Sequence, residues 1–344
     1  MFDLIAGNTL VKTILSNMAR SGRVPNSLIF AGPPGVGKKL FAYQLAKASL
    51  CLSQNDATPC GICHSCIRVV NIEPPRSEKG EDYERVFIGF HLDVCLVAPF
   101  KRNIRVGSIR AVESEANFRP FEGKARFFIV DDADLMNDAA SNALLKTLEE
   151  PVPTSHIILI TSRPDSLLPT IRSRAQLIRF APISSEEIRR ALIQIHAFNE
   201  VDASLAARFA NGSFARALAF DPETFSSARE RMLSVVAMAA NGNSLAELLL
   251  LGEKLHDQKN KDRFEEDLGI LESLIRDAWL MKLNAETQFL ENSDLEKRIF
   301  EATARSTKTE LASWLNEIEG LRRNFAVNIN RKIATDALFV KMAA

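Results

Sequence analysis

The 344-residue sequence has no excess of either charge: 43 Lys and Arg face 43 Asp and Glu. A protein that coats nucleic acid by bulk charge needs surplus cations to displace counterions, so that class is excluded. Any contact with DNA is expected to be local or borrowed from partners. There is no run of about 18 or more apolar residues, so no membrane-spanning helix is expected. Glycine and proline are scarce, at 15 and 14 residues, and no segment is repetitive or of low complexity. Fibrous and disordered classes are thereby excluded. The opening Met1-Phe2-Asp3-Leu4-Ile5 lacks a basic region followed by a long apolar run and a small-residue cleavage site. No secretory signal is expected, and a cytoplasmic location follows. Cysteine is rare too, limited to Cys51, Cys60, Cys63, Cys66 and Cys95. Without an export signal these are expected to be reduced, and the clustering of four of them points to metal rather than disulfides.

What is present is the material of an ordinary globular chain, 46% hydrophobic and 25% charged. At about 150 residues per domain the length suits two or three domains. The first 180 residues alternate short apolar runs with helical patterns. The runs are Leu28 to Ala31, Val94 to Val97, Phe127 to Val130, Ile157 to Ile160 and Gln176 to Phe180. Nearly all-apolar strands are those covered on both faces, so the spacing predicts an α/β layer fold with a mainly parallel sheet over 1–180. Phe41, Leu45 and Ala48 recur at helical spacing, as do Ala140, Ala143, Leu144 and Leu148 before the stop at Pro151. After Phe180 the strand signal ends. Ser184 and Glu187 have the spacing of a capping box, and one short helical segment is expected to run to Asn211-Gly212, giving a small helical domain over 181–222. From 223 to 344 only helices are expected, with Leu311, Trp314, Leu315, Ile318 and Leu321 as one apolar stripe. Asn241-Gly242-Asn243-Ser244 and Asn284 to Ser293 read as connections, and Pro74 to Tyr83 as a solvated surface loop. The fold class is thus α/β plus all-α.

Gly32-Pro33-Pro34-Gly35-Val36-Gly37-Lys38 follows the first strand and opens a helix, the context a phosphate loop requires. Such a loop aims backbone N–H groups at phosphate from a helix N-terminus, with Lys38 reaching the terminal phosphates. Its last position should be Ser or Thr, whose hydroxyl holds magnesium, but here it is Lys39. An ammonium cannot ligate a cation and repels one. The third strand delivers Asp131 and Asp132, where an active ATPase of this type carries Glu at the second position. A carboxylate one methylene shorter misplaces the attacking water, and such misplacement costs orders of magnitude in rate. Two readings stay open here: a site that binds nucleotide without hydrolysing it, and a loop kept only as a turn and helix cap.

Cys51, Cys60, Cys63 and Cys66 follow the pattern C-x8-C-x2-C-x2-C. Four thiolates on two short chelating loops suit a tetrahedral structural zinc site, with Pro59 and Gly61 at the turns. An iron–sulfur cluster is the alternative, but the downstream Cys-Pro of a ferredoxin pattern is absent. His64 is a poor fifth ligand, and Cys95, in an apolar strand, is expected to be a buried inert thiol.

Asp131-Asp132-Ala133-Asp134, the stretch from Asp138 to Pro151 (DAASNALLKTLEEP), Ile171-Arg172-Ser173-Arg174 and Gly212 to Leu218 (GSFARAL) together resemble the AAA+ clamp-loader subunits of bacterial DNA polymerase III, most nearly the delta-prime branch. The likeness covers the first 220 residues well; beyond them it rests on length, helicity and the final Asn328-Ile329-Asn330-Arg331. It implies an AAA+ core, a small helical lid and a C-terminal collar. It also implies a zinc module inserted after the phosphate-loop helix. Arg174 falls in the family's Ser-Arg-Cys motif, with Ala175 in place of Cys, and the resemblance makes it an arginine finger acting on a neighbour's ATP. Composition alone reads it as a surface residue. Thr161 and Arg216 fall at the two nucleotide-sensing positions, although Arg216 reads equally as a solvated helix residue. The implied role is a non-catalytic subunit of a hetero-pentameric ring with gamma/tau and delta subunits. ATP and magnesium would be held by its neighbours, and the sliding clamp and primed DNA reached through the complex, with no membrane. The alternative within the family is a gamma/tau-type motor that hydrolyses ATP itself. A metal or redox protein would rest on the cysteines alone.

Overall fold

The computed structural model describes all residues except 1, 3–4, 54–57, 242–244, 256–263, 326–330 and 344. The expected turn at 242–244 and the family-like Asn328-Ile329-Asn330 therefore lie outside the described residues. The chain forms two compact units, Met1–Ala219 and Phe220–Ala344.

The first unit contains α1 (Thr9–Ser21), β1 (Ser27–Ala31), α2 (Lys38–Leu50), α3 (His64–Arg68), β2 (Phe87–Ile88), β3 (Val94–Val97), α4 (Val106–Ala116), β4 (Arg126–Val130), α5 (Asp138–Glu149), β5 (Ser155–Thr161), α6 (Pro169–Arg172), β6 (Gln176–Arg179), α7 (Ser185–His196), α8 (Glu200–Phe209) and α9 (Phe214–Leu218). The strands form one sheet in the order β2-β3-β4-β5-β1-β6, parallel throughout except for the antiparallel pair of β2 with β3. Every residue of β1, β3, β4 and β5 is buried, as strands covered on both faces must be. On one face, Ile109 and Val112 of α4 and Leu144 and Leu148 of α5 pack on Ile29, Phe128, Val130 and Leu159. On the other, Phe41 of α2 stacks on Phe2 and meets Phe180 edge to face, with ring centroids 5.0 and 5.1 Å apart. Successive strand residues point to opposite faces, so these two sets alternate along each strand.

Local chemistry fixes the helix ends. The Asn137 side chain accepts from Ala140 N–H at 2.9 Å to start α5, which stops before Pro151. At α7 both halves of the Ser184/Glu187 capping box form. The expected single segment to Gly212 is two helices, because Ala197 turns left-handed (φ 57°) and Asn199 then caps α8 by accepting from Asp202 N–H at 2.8 Å. Residues 181–219 pack within the same compact unit as the sheet. The segment from Pro74 to Tyr83 has no buried residue, in keeping with a surface loop.

Parallel register brings the carboxyl ends of three strands to one edge. Ala31 pairs with Thr161, and Val130 with Leu159. The residues that follow, Gly32 and Asp131, emerge beside Thr161, where open α/β sheets place their ligand sites.

The second unit is all helical among its described residues: α10 (Pro222–Asn241), α11 (Leu245–Leu255), α12 (Phe264–Lys282), α13 (Glu296–Ala302), α14 (Lys308–Phe325) and α15 (Arg331–Ala343). Its core joins Val236, Leu274, Ile299 and Phe339 to the α14 stripe of Leu311, Trp314, Ile318 and Leu321, with Leu315 partly buried beside them. Fully buried Asp277 accepts N–H bonds from Glu291 (3.1 Å) and Asn292 (2.6 Å), which seats the connection after α12. Among the described residues no helix is long and apolar enough to cross a membrane.

Candidate functional site

The loop from Gly32 to Gly37 leaves β1 and enters α2 with Gly35 and Gly37 left-handed, at φ 77° and 90°. A Cβ on Gly32 would lie 2.4 Å from the Phe180 carbonyl oxygen, so only glycine lets the loop pass the end of β6. The Lys38 ammonium is buried and turned back on the loop, donating to Gly32 O at 2.6 Å and Pro33 O at 2.7 Å. Burial lowers its pKa, against the opposing pull of Asp132 and Asp131. Lys39 Nζ lies 3.0 Å from Asp131 Oδ2. Magnesium demands oxygen ligands in near-octahedral array. The pair presents instead an ammonium against the carboxylate that would hold the ion, so these residues do not fit it.

Asp132 is left-handed (φ 47°), and its carboxyl is raised by burial and by Asp131 and Asp134. The fully buried Thr161 hydroxyl donates to Asp134 Oδ1 at 2.7 Å, and Arg163 Nε to Asp134 Oδ2 at 2.9 Å. Burial raises the Asp134 carboxyl, but the Thr161 and Arg163 bonds outweigh it and the net shift is downward. Asp134 stood in the motif without a role, and nothing in the sequence marked Arg163. From the helical end of the unit, Ala215 N–H donates to Gly35 O at 3.1 Å. Arg216 is exposed, its own N–H donating to Ser213 Oγ at 3.4 Å.

Arg174 follows α6 and is about one-third exposed. Its Nη1 donates to Thr170 O at 3.0 Å, and its Nη2 lies 2.9 Å from Glu149 Oε1. Glu149 was not singled out by sequence, because its partner depends on how the end of α5 meets α6. Arg172 pairs with Asp165 at 2.7 Å.

The Sγ atoms of Cys51, Cys60, Cys63 and Cys66 all lie within 4.8 Å of one another. Cys51 to Cys63 and Cys60 to Cys66 are each 4.0 Å apart, near the ~3.8 Å edge of a tetrahedron with ~2.3 Å metal–sulfur bonds. The thiols also receive the backbone bonds that orient metal ligands: Cys60 N–H to Cys51 Sγ (3.4 Å), Cys63 N–H to Cys60 Sγ (3.3 Å) and Cys66 N–H to Cys63 Sγ (3.4 Å). The Cys66 N–H pulls the Cys63 thiol down to about 6, whereas burial pushes Cys66 up to about 12. A bound cation would favour the thiolate at both. Gly61 supplies the turn at φ 75°. The cluster can hold a metal ion, and His64 is not part of it. Arg68, at the end of α3, ties this module to the sheet by donating to Glu122 and to Phe90 O. Cys95 is fully buried, and burial pushes its thiol up to about 11.

A family model described as DNA polymerase III, delta subunit, matches residues 7–184. The DNA polymerase III subunit delta' of Bacillus subtilis (strain 168) is 27% identical over 320 residues, covering 93% of this chain and 91% of that protein. The delta' subunit of Escherichia coli (strain K12) is 27% identical over 328 residues, covering 94% and 90%. The DNA polymerase III subunit tau of the same strain is 30% identical over 231 residues, 66% of this chain but 33% of that protein. With more than half of its length matched by the family model, the chain belongs to the DNA polymerase III delta-subunit family.

Proposed function

We propose that the chain is a non-catalytic, delta-prime-type subunit of the bacterial replicative clamp loader, helping to load the sliding clamp onto primed DNA in the cytoplasm. In this reading residues 181–222 act as the small lid of the AAA+ core, and 223–344 contribute to the collar of a hetero-pentameric ring with gamma/tau and delta subunits. Zinc fills the four-cysteine module as a structural ion. Arg174 reaches a neighbour's ATP, where a guanidinium stabilises charge on the transferring phosphoryl group. Its partner Glu149 is half exposed, and exposed pairs are worth only ~0–1 kcal/mol. A triphosphate would outcompete that carboxylate for the guanidinium.

The observation that carries the reading is the Lys39–Asp131 ion pair at 3.0 Å, which sets an ammonium where a hydrolysing site needs a metal ligand. A gamma/tau-type motor is the competing reading, supported by the 30% identity to tau. Lys39 and the short Asp132 both speak against it.

ATP turnover by the isolated chain and by the reconstituted complex separates the two. The chain alone is expected to show negligible hydrolysis and the complex DNA-stimulated hydrolysis. Arg174→Ala is expected to slow the one site it serves by ~10³-fold or more, while Lys38→Ala scarcely changes the rate. A crippling Lys38→Ala beside a mild Arg174→Ala would overturn the proposal.

A further inference from the structure

Lys38, Lys39, Asp131, Asp134 and Thr161, side chains that a nucleotide site would turn toward phosphate or metal, are here engaged within the chain, while Asp132 is exposed. The Lys38 ammonium holds the carbonyls of Gly32 and Pro33, at 2.6 and 2.7 Å, and so laces the start of the loop to α2. Lys39 holds Asp131 at 3.0 Å, with the two side chains 29% and 23% exposed. The Thr161 hydroxyl and the Arg163 guanidinium both hold Asp134. The N-terminus of α9 is seated on the loop itself, since a Cβ on Gly35 would fall 2.0 Å from Ser213 Oγ. Around this edge three carboxylates (Asp131, Asp132, Asp134) meet three cations (Lys38, Lys39, Arg163). In a metal-dependent site the carboxylates outnumber the cations until the ion arrives.

We propose that Lys39 is a resident counter-cation standing in for a divalent metal at Asp131, and that its replacement by threonine opens a metal-dependent nucleotide site. This deepens the non-catalytic reading and rests on it, naming the residue that disables the loop. A divalent ion approaching Asp131 has to displace the Lys39 ammonium and then lie beside both it and Lys38, so Coulomb repulsion opposes its entry. Lys39→Thr removes one cation, leaves three carboxylates facing two, and puts a hydroxyl in the first turn of α2. A hydroxyl, a carboxylate and waters are the ligands magnesium takes.

The test uses the isolated full-length chain, a fluorescent ATP analogue titrated with magnesium or with EDTA, and Mn²⁺ binding by electron paramagnetic resonance. The wild type is expected to bind no Mn²⁺ and to show less than about a twofold difference in nucleotide affinity between magnesium and EDTA. In Lys39→Thr, magnesium is expected to tighten nucleotide binding at least ~10-fold and Mn²⁺ binding to appear, as the loss of one opposing charge at contact distance implies. Adding Asp131→Asn to that variant is expected to abolish both gains. Magnesium-dependent binding by the wild type, no gain in Lys39→Thr, or a gain that survives Asp131→Asn would each overturn the proposal. None of these outcomes requires ATP turnover, which decides the non-catalytic reading separately.

Discussion

Asp93→Ala is expected to cost the first unit a large part of its stability. Asp93 precedes β3 and is fully buried. Its Oδ1 accepts from Phe121 N–H at 2.7 Å, and its Oδ2 from Glu122 and Gly123 N–H at 3.0 and 2.7 Å. It is also a counter-charge 3.8 Å from Nε of Arg126, another fully buried residue. Arg126 donates to Glu115 O at 2.6 Å and Glu115 Oε2 at 2.9 Å, and its guanidinium lies 4.8 Å from the Phe121 ring centroid. Removing the carboxylate leaves three amides unpaired and Arg126 with a single counter-charge. Breaking a buried pair from one side costs ~3–5 kcal/mol. Each charge-assisted bond adds ~1.5–3 kcal/mol when counted alone. These contributions do not sum, because a loop released from Asp93 lifts and its amides find water, so the net loss is set at ~3–5 kcal/mol. In a unit spanning Met1–Ala219, at ~2–4 °C per kcal/mol, that is a fall in melting temperature of ~6–20 °C. Differential scanning calorimetry reads the fall, and amide hydrogen exchange over residues 119–125 reads the cause. A variant that melts within about 2 °C of wild type with unchanged protection at 121–123 would refute this reasoning.

Two further predictions concern metal and pH. The purified chain is expected to hold about one zinc by elemental analysis and Cys60→Ser none; iron, or no metal in the wild type, would sink the zinc assignment. Burial lowers the pKa of His91 and of His156 below the usual 6.5, so below 6.5 the unfolded chain takes up protons that the folded chain refuses. Their contribution to stability is complete above about pH 6.5 and is lost as pH falls below it, and His156→Gln should flatten the slope of melting temperature between about pH 6.5 and 5. An unchanged slope in that variant counts against the buried imidazole.

The fold was legible wherever burial is complete. Four strands, β1, β3, β4 and β5, carry nearly unbroken apolar runs because both sheet faces are covered, and residues such as Phe30 and Ile158 have no solvent side to mark, whereas β6 is exposed at Gln176, Leu177 and Arg179. The two-residue β2 is too short to carry a period, and Ala197 gave no warning of the left-handed turn that divides α7 from α8. In the phosphate loop the residue types at Lys39 and Asp132 were legible, but their contacts were not. That Lys39 meets Asp131, that the Thr161 hydroxyl goes to Asp134, and that Arg174 meets Glu149 all depend on strand register and helix packing between distant segments. The cysteine spacing marks the cluster because its ligands are local. Its fastening through Arg68 and Glu122 is not marked, because those residues meet only after the sheet has formed.

The zero net charge of the chain is repeated at small scale around the phosphate loop, and there it bears on switching. A ligand shifts a conformational equilibrium only by its differential affinity for the two states. In a motor subunit, carboxylates and loop amides left uncompensated in the empty state supply that difference, because nucleotide and metal satisfy them in one conformation only. Here Lys39 satisfies Asp131, Lys38 satisfies the loop carbonyls and Arg163 satisfies Asp134 from within the chain. A metal ion then has little left to satisfy, and little differential affinity with which to drive a change. Under the proposed reading, the same cancellation that removes catalysis also removes the response to the metal, so this subunit should show no magnesium-driven change of its loop while its neighbours turn over ATP.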